Sequence, residues 1–208
     1  MIKIFTDLPE TLISSVSIMI GAIIGGVFSW IVAKKSTDKT IEVQNKIVED
    51  NRRYAENIRL KRSREYANII RLDICTALFN SIRILKNCND KKNTEIYPIP
   101  MDREYSGGVA YLKNDFGLKE MSYIYQLYGI IEKLNRDTNN FNYYDDKSYE
   151  IVNRDCTIFI RKLFGENITK ILEVDIDKIS YKDLYYNNFI KEGYKETLRK
   201  LDDICDEE

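Results

Sequence analysis

One uncharged stretch, residues 11–33, constrains this chain more than any other feature of its sequence. At about 1.5 Å per helical residue, these 23 residues span about 34 Å, which exceeds a hydrocarbon core of about 30 Å. A cleaved signal peptide is the alternative, but it needs a basic start and a shorter apolar core. Here one lysine precedes the stretch together with two acidic residues. We therefore predict a membrane anchor over residues 1–35.

The basic residues that flank the apolar stretch predict its orientation. Lys34, Lys35 and Lys39 follow it directly, whereas Lys3 is the single basic side chain before it. Because lysines and arginines are retained on the cytoplasmic side, the N-terminus is expected outside and the rest of the chain in the cytoplasm. Trp30, Lys34 and Lys35 are the residues expected at the inner membrane interface. The predicted location is the cell membrane, with a single pass and contact with its lipids.

Small residues recur every four positions along the predicted span. This spacing lets two helix backbones approach closely, which is how membrane helices gain packing energy. The alternative is chance, because small residues are common in such helices. We predict self-association into a homo-oligomer through this stripe, which consists of Ser17, Gly21, Gly25, Ser29 and Ala33.

The absence of histidine excludes several kinds of chemistry at once. It removes Ser-His-Asp and Cys-His catalysis and histidine-ligated metals. The four cysteines lie far apart, without a CxxC pair, and are expected to be reduced and mostly in the core: Cys75, Cys88, Cys156 and Cys205. No constellation of other residues indicates catalysis, so we expect no enzyme activity, metal or cofactor.

After the anchor, residues 36–65 are strongly polar, and neither proline nor glycine occurs between Val27 and Tyr97. We predict that the membrane helix continues here as a polar helical stalk. A loose heptad consists of Ile41, Val48, Ala55 and Ile58. Arg62 and Glu65 interrupt it, so it is a weak indication of a coiled coil.

Residues 66–208 have the apolar spacing of a cytoplasmic helical bundle, which makes the predicted fold all-α. The first helix has apolar residues from Tyr66 to Leu85 and includes Ile69 and Leu72 on its face. A loop containing Gly107 and Gly108 follows. Further helices are predicted at residues 118–135, from about 149 to 164, and from 181 to about 205. The last of these begins with a capping box formed by Ser180 and Asp183.

A basic cluster in the stalk is the candidate binding surface. At 100° per residue, Arg53, Arg64 and Arg71 share one helix face, which makes them the candidate basic binding face. The remaining basic residues point in other directions, which is typical of a solvated or partner-facing helix. Nucleic acid or a nucleotide is therefore the less favoured partner.

The charges of the two ends of the cytoplasmic part are opposite. Residues 34–71 contain eleven basic and six acidic residues, a net charge of +5, and residues 172–208 contain six basic and eleven acidic ones, a net charge of −5. The acidic end, residues 202–208, is interpreted as a solubilising tail. The opposition is expected to steer contacts between copies or to fold the last helix back on the stalk.

Three functions are compatible with these features. The first is a membrane-anchored, self-associating helical protein that acts through contacts with a protein partner of unknown identity. The second is a membrane sensor whose basic stalk binds nucleic acid or a cyclic oligonucleotide, and the third is an accessory subunit of a larger membrane complex. In outline the chain resembles the short single-pass proteins of low-GC bacteria that occur in mobile elements and phage-defence loci. That resemblance implies antiphage defence as the setting of the first function, which we favour.

Overall fold

The computed structural model describes residues 10–87 and 96–206. It is all-helical, as predicted: helices cover 83% of these residues, and no strand occurs among them. In chain order the helices are α1 Glu10–Lys86, α2 Tyr105–Tyr111, α3 Leu118–Asn139, α4 Asp146–Phe164, α5 Ile168–Glu173, α6 Tyr181–Tyr186 and α7 Glu192–Asp206. Two short 3₁₀ turns, Leu112–Asn114 and Gly165–Asn167, follow α2 and α4.

The chain divides into two compact units, Met1–Asn57 and Ile58–Glu208. The first unit contains the N-terminal part of α1. Every residue from 12 to 48 is exposed, and Glu49 is the first residue of the helix that is partly buried. Within the described residues, α1 is the one helix long and apolar enough to cross a membrane, by length and composition. Its apolar residues 12–33 therefore have no protein core of their own to pack into.

The second unit has a hydrophobic core between the C-terminal part of α1 and helices α3, α4 and α7. From α1, the residues Ile70, Ile74 and Leu78 are almost fully buried, as their spacing predicts. Ile69 and Leu72, which the sequence also places on the apolar face, remain 37% and 54% exposed. The buried face of α1 is therefore narrower than predicted.

Local signals explain where two of these helices begin or end. The predicted capping box is present, since the Asp183 backbone N–H donates to Ser180 Oγ at 3.3 Å and the Ser180 N–H donates to Asp183 Oδ2 at 2.8 Å. Helix α4 ends at Phe164, and the next residue, Gly165, has a φ of 60°, which favours glycine. There the Lys191 N–H donates to the Leu163 carbonyl at 2.8 Å.

The prediction of a loop at the paired glycines was wrong, because Gly107 and Gly108 both lie inside α2. Gly108 is buried against Tyr66, and a Cβ there would lie 2.8 Å from Tyr66 Cδ1. Gly108 therefore lets α2 pack closely against Tyr66 of α1, and it does not end the helix.

The prediction of a single helix after Ser180 was also wrong, because the chain forms α6 and α7 with a break between them. At the break, the side-chain oxygen of Asn187 accepts the backbone N–H groups of Phe189 and Ile190 at 2.8 and 3.2 Å. Asparagine side chains compete with the helical backbone in this way, which ends the helix.

Candidate functional site

The predicted packing stripe lies in the first unit, on an exposed part of α1. A Cβ added at Gly21 or Gly25 would have no protein atom within 4 Å other than those of the local helix. The Ser17 hydroxyl donates to the Ile13 carbonyl at 2.8 Å, so its hydrogen bond is satisfied inside the helix. Ser29 and Ala33 are exposed as well. The stripe thus has open space in front of it.

The predicted interface residues follow the stripe along the same helix. The Trp30 side chain is 64% exposed, and the Lys34 ammonium lies 5.5 Å from the centre of its ring. Lys35 is exposed. An indole beside an ammonium group is the arrangement that membrane interfaces favour.

The three arginines of the candidate basic face have three different surroundings. Arg53 belongs to the first unit, where its Nε lies 3.2 Å from Glu49 Oε1. Arg64 belongs to the second unit and is exposed. Arg71, also in the second unit, forms an ion pair with Asp202 at 2.7 Å. These three side chains therefore share no partner among the described residues, and Arg71 is engaged inside its own unit.

Asp202 is the centre of a polar network between α1, α6 and α7. It is 1% exposed, which corrects its interpretation as part of a solubilising tail. Its two oxygens accept from Arg71 and from the Tyr185 hydroxyl, and Arg71 also donates to Asn68 Oδ1 at 2.8 Å. Burial alone would lower the pKa of Arg71, but the hydrogen bond to Asp202 and the surrounding negative charges raise it. The guanidinium is thus held charged and fixed in place.

A cavity of about 320 Å³ opens beside this network. Arg71, Leu72 and Tyr185 are among its walls, and the buried thiol of Cys75 is another. Burial raises the pKa of Cys75 to about 12, so its thiol stays protonated at neutral pH. The wall therefore offers apolar contact and hydrogen bonds but no activated nucleophile.

A second cavity, of about 300 Å³, lies between α1 and the 3₁₀ turn after α2. We call it the Tyr111 cavity. Its lining consists of Arg59, Ala110, Tyr111, Lys113 and Asn114. Two of these five side chains are cationic and none is acidic, so its local charge is positive.

A third cavity, of about 710 Å³, lies between the loop at Arg103 and the second half of α3. Two of its cations are already neutralised: Lys133 pairs with Asp155 and Asp137, and Arg136 lies 3.4 Å from Asp137. Arg136 also lies in the last turn of α3, where a helix favours cations. Neither side chain therefore needs a ligand to explain its position.

The sequence signals that would have located these cavities are weak. Tyr111 and Lys113 are separated from Arg59 by more than fifty residues, and helical spacing does not reveal that they meet. Among the described residues, no group of three His, Cys, Asp or Glu side chains is placed to hold a metal ion. Cys88 lies outside the described residues. Comparison with protein-family models, curated proteins and solved structures finds no match for this chain.

Proposed function

We propose that this protein is a membrane-anchored, self-associating helical protein that acts through protein contacts. In this proposal residues 11–33 cross the cell membrane once, with the N-terminus outside. Residues 36–65 form a polar stalk, and residues 66–208 form a helical bundle in the cytoplasm. Antiphage defence, the setting implied by the general outline of the chain, stays a prediction.

The observation that carries the proposal is the exposure of the apolar part of α1. Large apolar side chains there, such as Ile18 at 70% and Phe28 at 65%, are exposed. Leaving so many apolar groups in water is unfavourable by about 25 cal/mol per Å², whereas a bilayer or a second helix removes that cost. A bilayer contacts a membrane-spanning helix on all sides, whereas a second helix covers one face. The bilayer therefore fits a helix that is apolar on every side.

The stripe supports the self-association part of the proposal. In a bilayer, helices pack by close approach rather than by the hydrophobic effect, and small residues permit that approach. The open space in front of Gly21 and Gly25 is where a second copy would fit. Because identical chains carry identical stripes, a symmetric contact between two copies is the simplest arrangement.

Cross-linking of the full chain in membranes tests this proposal. Gly25→Ile places a branched side chain in the stripe, so the cross-linked oligomer is expected to fall about tenfold or more at low protein density. Insertion is expected to persist, because isoleucine is more favourable than glycine in hydrocarbon.

Val27→Phe is the matched control. At 100° per residue Val27 lies about 160° from the direction of Gly25 around the helix axis, and it is 51% exposed. It adds bulk away from the stripe and is expected to leave the oligomer unchanged. Equal cross-linking of the wild type and Gly25→Ile would show that the stripe is not the contact.

A further inference from the structure

We propose that the Tyr111 cavity is a binding site for a nucleoside phosphate. The phosphate would lie between Arg59 and Lys113, and the planar base would lie against the exposed face of Tyr111. All the residues concerned belong to the second unit, whereas the stripe belongs to the first.

The first observation is the unneutralised charge of the cavity. Among the residues that the structure describes, neither Arg59 nor Lys113 forms an ion pair, although Arg59 is partly buried. Asp115, two positions after Lys113, accepts a hydrogen bond from the Ser63 hydroxyl at 3.1 Å. Glu56, three positions before Arg59, is not part of the cavity lining. Two cations that face one cavity without a carboxylate between them favour an anionic ligand.

The second observation is the fixed position of the aromatic wall. Tyr111 stacks on Tyr66, with ring centres 4.9 Å apart and ring planes 18° apart. In addition, Arg62 Nη1 donates to the Tyr111 hydroxyl at 3.2 Å. The lack of a side chain at Gly108 leaves room for the Tyr66 ring, because any side chain there would collide with that ring. The ring is therefore held in place before a ligand arrives, which lowers the entropic cost of binding.

The remaining exposure of Tyr111 leaves room for a planar group. Its side chain is 38% exposed even though Tyr66 covers one of its faces. Stacking of a base on an aromatic ring contributes to binding and is tolerant of base identity. The neighbouring Asn114 offers an amide donor and acceptor at the edge of the same cavity.

The size of the cavity agrees with a small ligand. About 300 Å³ is at the lower end of the range for ligand sites, which is about 300–1,000 Å³. A mononucleotide fits such a volume with part of its sugar in solvent. An extended nucleic acid strand would need a longer basic track, and Arg53 and Arg71 are occupied by Glu49 and Asp202.

Calorimetric titration of the full chain in neutral phosphatidylcholine nanodiscs tests the site. The probes are the 5′-monophosphates AMP, GMP, CMP and UMP, with adenosine and inorganic phosphate as partial ligands. We expect at least one monophosphate to bind with a stoichiometry of one and more tightly than either partial ligand. Arg59→Gln and Lys113→Gln are each expected to weaken that binding about tenfold, since each removes a charged hydrogen-bond donor.

Arg64→Gln is the matched control, because it removes an exposed arginine from the same helix without touching the cavity. It is expected to change the affinity by less than about twofold. A loss equal to that of Arg59→Gln would mean that only overall charge attracts the nucleotide, and would overturn the site.

Three other results would also overturn the proposal. They are the absence of binding for all four monophosphates, equal affinity for inorganic phosphate, and loss of nucleotide binding in nanodiscs that contain phosphatidylglycerol. The last result would assign the cations to the phosphate of a lipid headgroup.

Discussion

Arg71 and Asp202, which are 131 positions apart in the sequence, form an ion pair of 2.7 Å between α1 and α7. The carboxylate is 1% exposed and the arginine side chain 27% exposed, so the pair is largely shielded from water. Arg71 is the last residue of the basic segment 34–71, but it lies outside the predicted stalk, residues 36–65, so a contact of the last helix with the stalk stays a prediction. Because both residues belong to the second unit, the contact is internal to that unit.

Removing the charge of Asp202 is expected to destabilise the second unit. Asp202→Asn leaves Arg71 without its carboxylate, and the expected loss is about 2–3 kcal/mol of unfolding free energy, reduced by the partial exposure of the arginine. Thermal unfolding of the full chain in detergent, followed by near-ultraviolet circular dichroism of the tyrosines, measures this loss. Asp203→Asn, at the exposed neighbouring position, is the control and is expected to stay within about 0.5 kcal/mol. Equal stability of the two variants would contradict the role of the ion pair.

The paired glycines of α2 provide a direct test of the close contact with Tyr66. A Cβ at Gly108 would lie 2.8 Å from the ring, whereas a Cβ at Gly107 would meet no atom within 4 Å. Gly107→Ala is expected to raise stability by up to about 1 kcal/mol, because alanine favours a helix. Gly108→Ala is expected to be about 1–3 kcal/mol less stable than Gly107→Ala, since the stacked ring has to move. Chemical denaturation of the two variants in parallel measures the difference, and identical midpoints and slopes would refute the contact.

Because the pKa of Glu120 is shifted in the folded state, we expect the stability of the second unit to depend on pH. Burial alone would raise its pKa, but the hydrogen bonds from Lys200 and from the Gly117 N–H and the charge of Lys200 lower it overall. A lowered pKa in the folded state means that the stabilisation is present above the usual value of 4.5 and is lost as the pH falls through the folded pKa.

Glu120→Gln is therefore expected to cost about 0.5–1 kcal/mol at pH 7, a value limited by solvent screening of the partly exposed pair. The difference from the wild type is expected to vanish in acid, below the folded pKa. Denaturation midpoints measured between pH 7 and pH 3 test the sign. Glu132→Gln, on the exposed side of the same helix, is the control; a cost for Glu120→Gln that grows in acid would contradict the assignment.

Helical spacing predicted the core where one face of a helix is buried. Ile70, Ile74 and Leu78 recur on one side of α1 and are buried together. The same reasoning assigned Leu72 to the core, although it is 54% exposed. Spacing defines the apolar face of a helix but not how much of that face neighbouring helices cover. The width of the buried face of α1 was therefore overestimated.

Residues that depend on distant partners could not be predicted from local pattern. Gly108 has the sequence signature of a turn, and the contact that requires a glycine there is with the ring of Tyr66. Asp202 belongs to an acidic run, and its burial follows from Arg71 and Tyr185. The Tyr111 cavity was missed for the same reason, because it exists only where α1 and the turn after α2 meet.

Protease protection in inverted membrane vesicles tests the central claim, the single-pass anchor, most directly. In such vesicles the cytoplasmic face is outside, so protease is expected to digest the C-terminal unit and leave a protected fragment that begins at the original N-terminus and includes residues 11–33. A protected C-terminal unit would reverse the orientation. A chain digested without any protected fragment, or one that begins after the apolar stretch because a signal peptide was removed, would contradict the anchor itself.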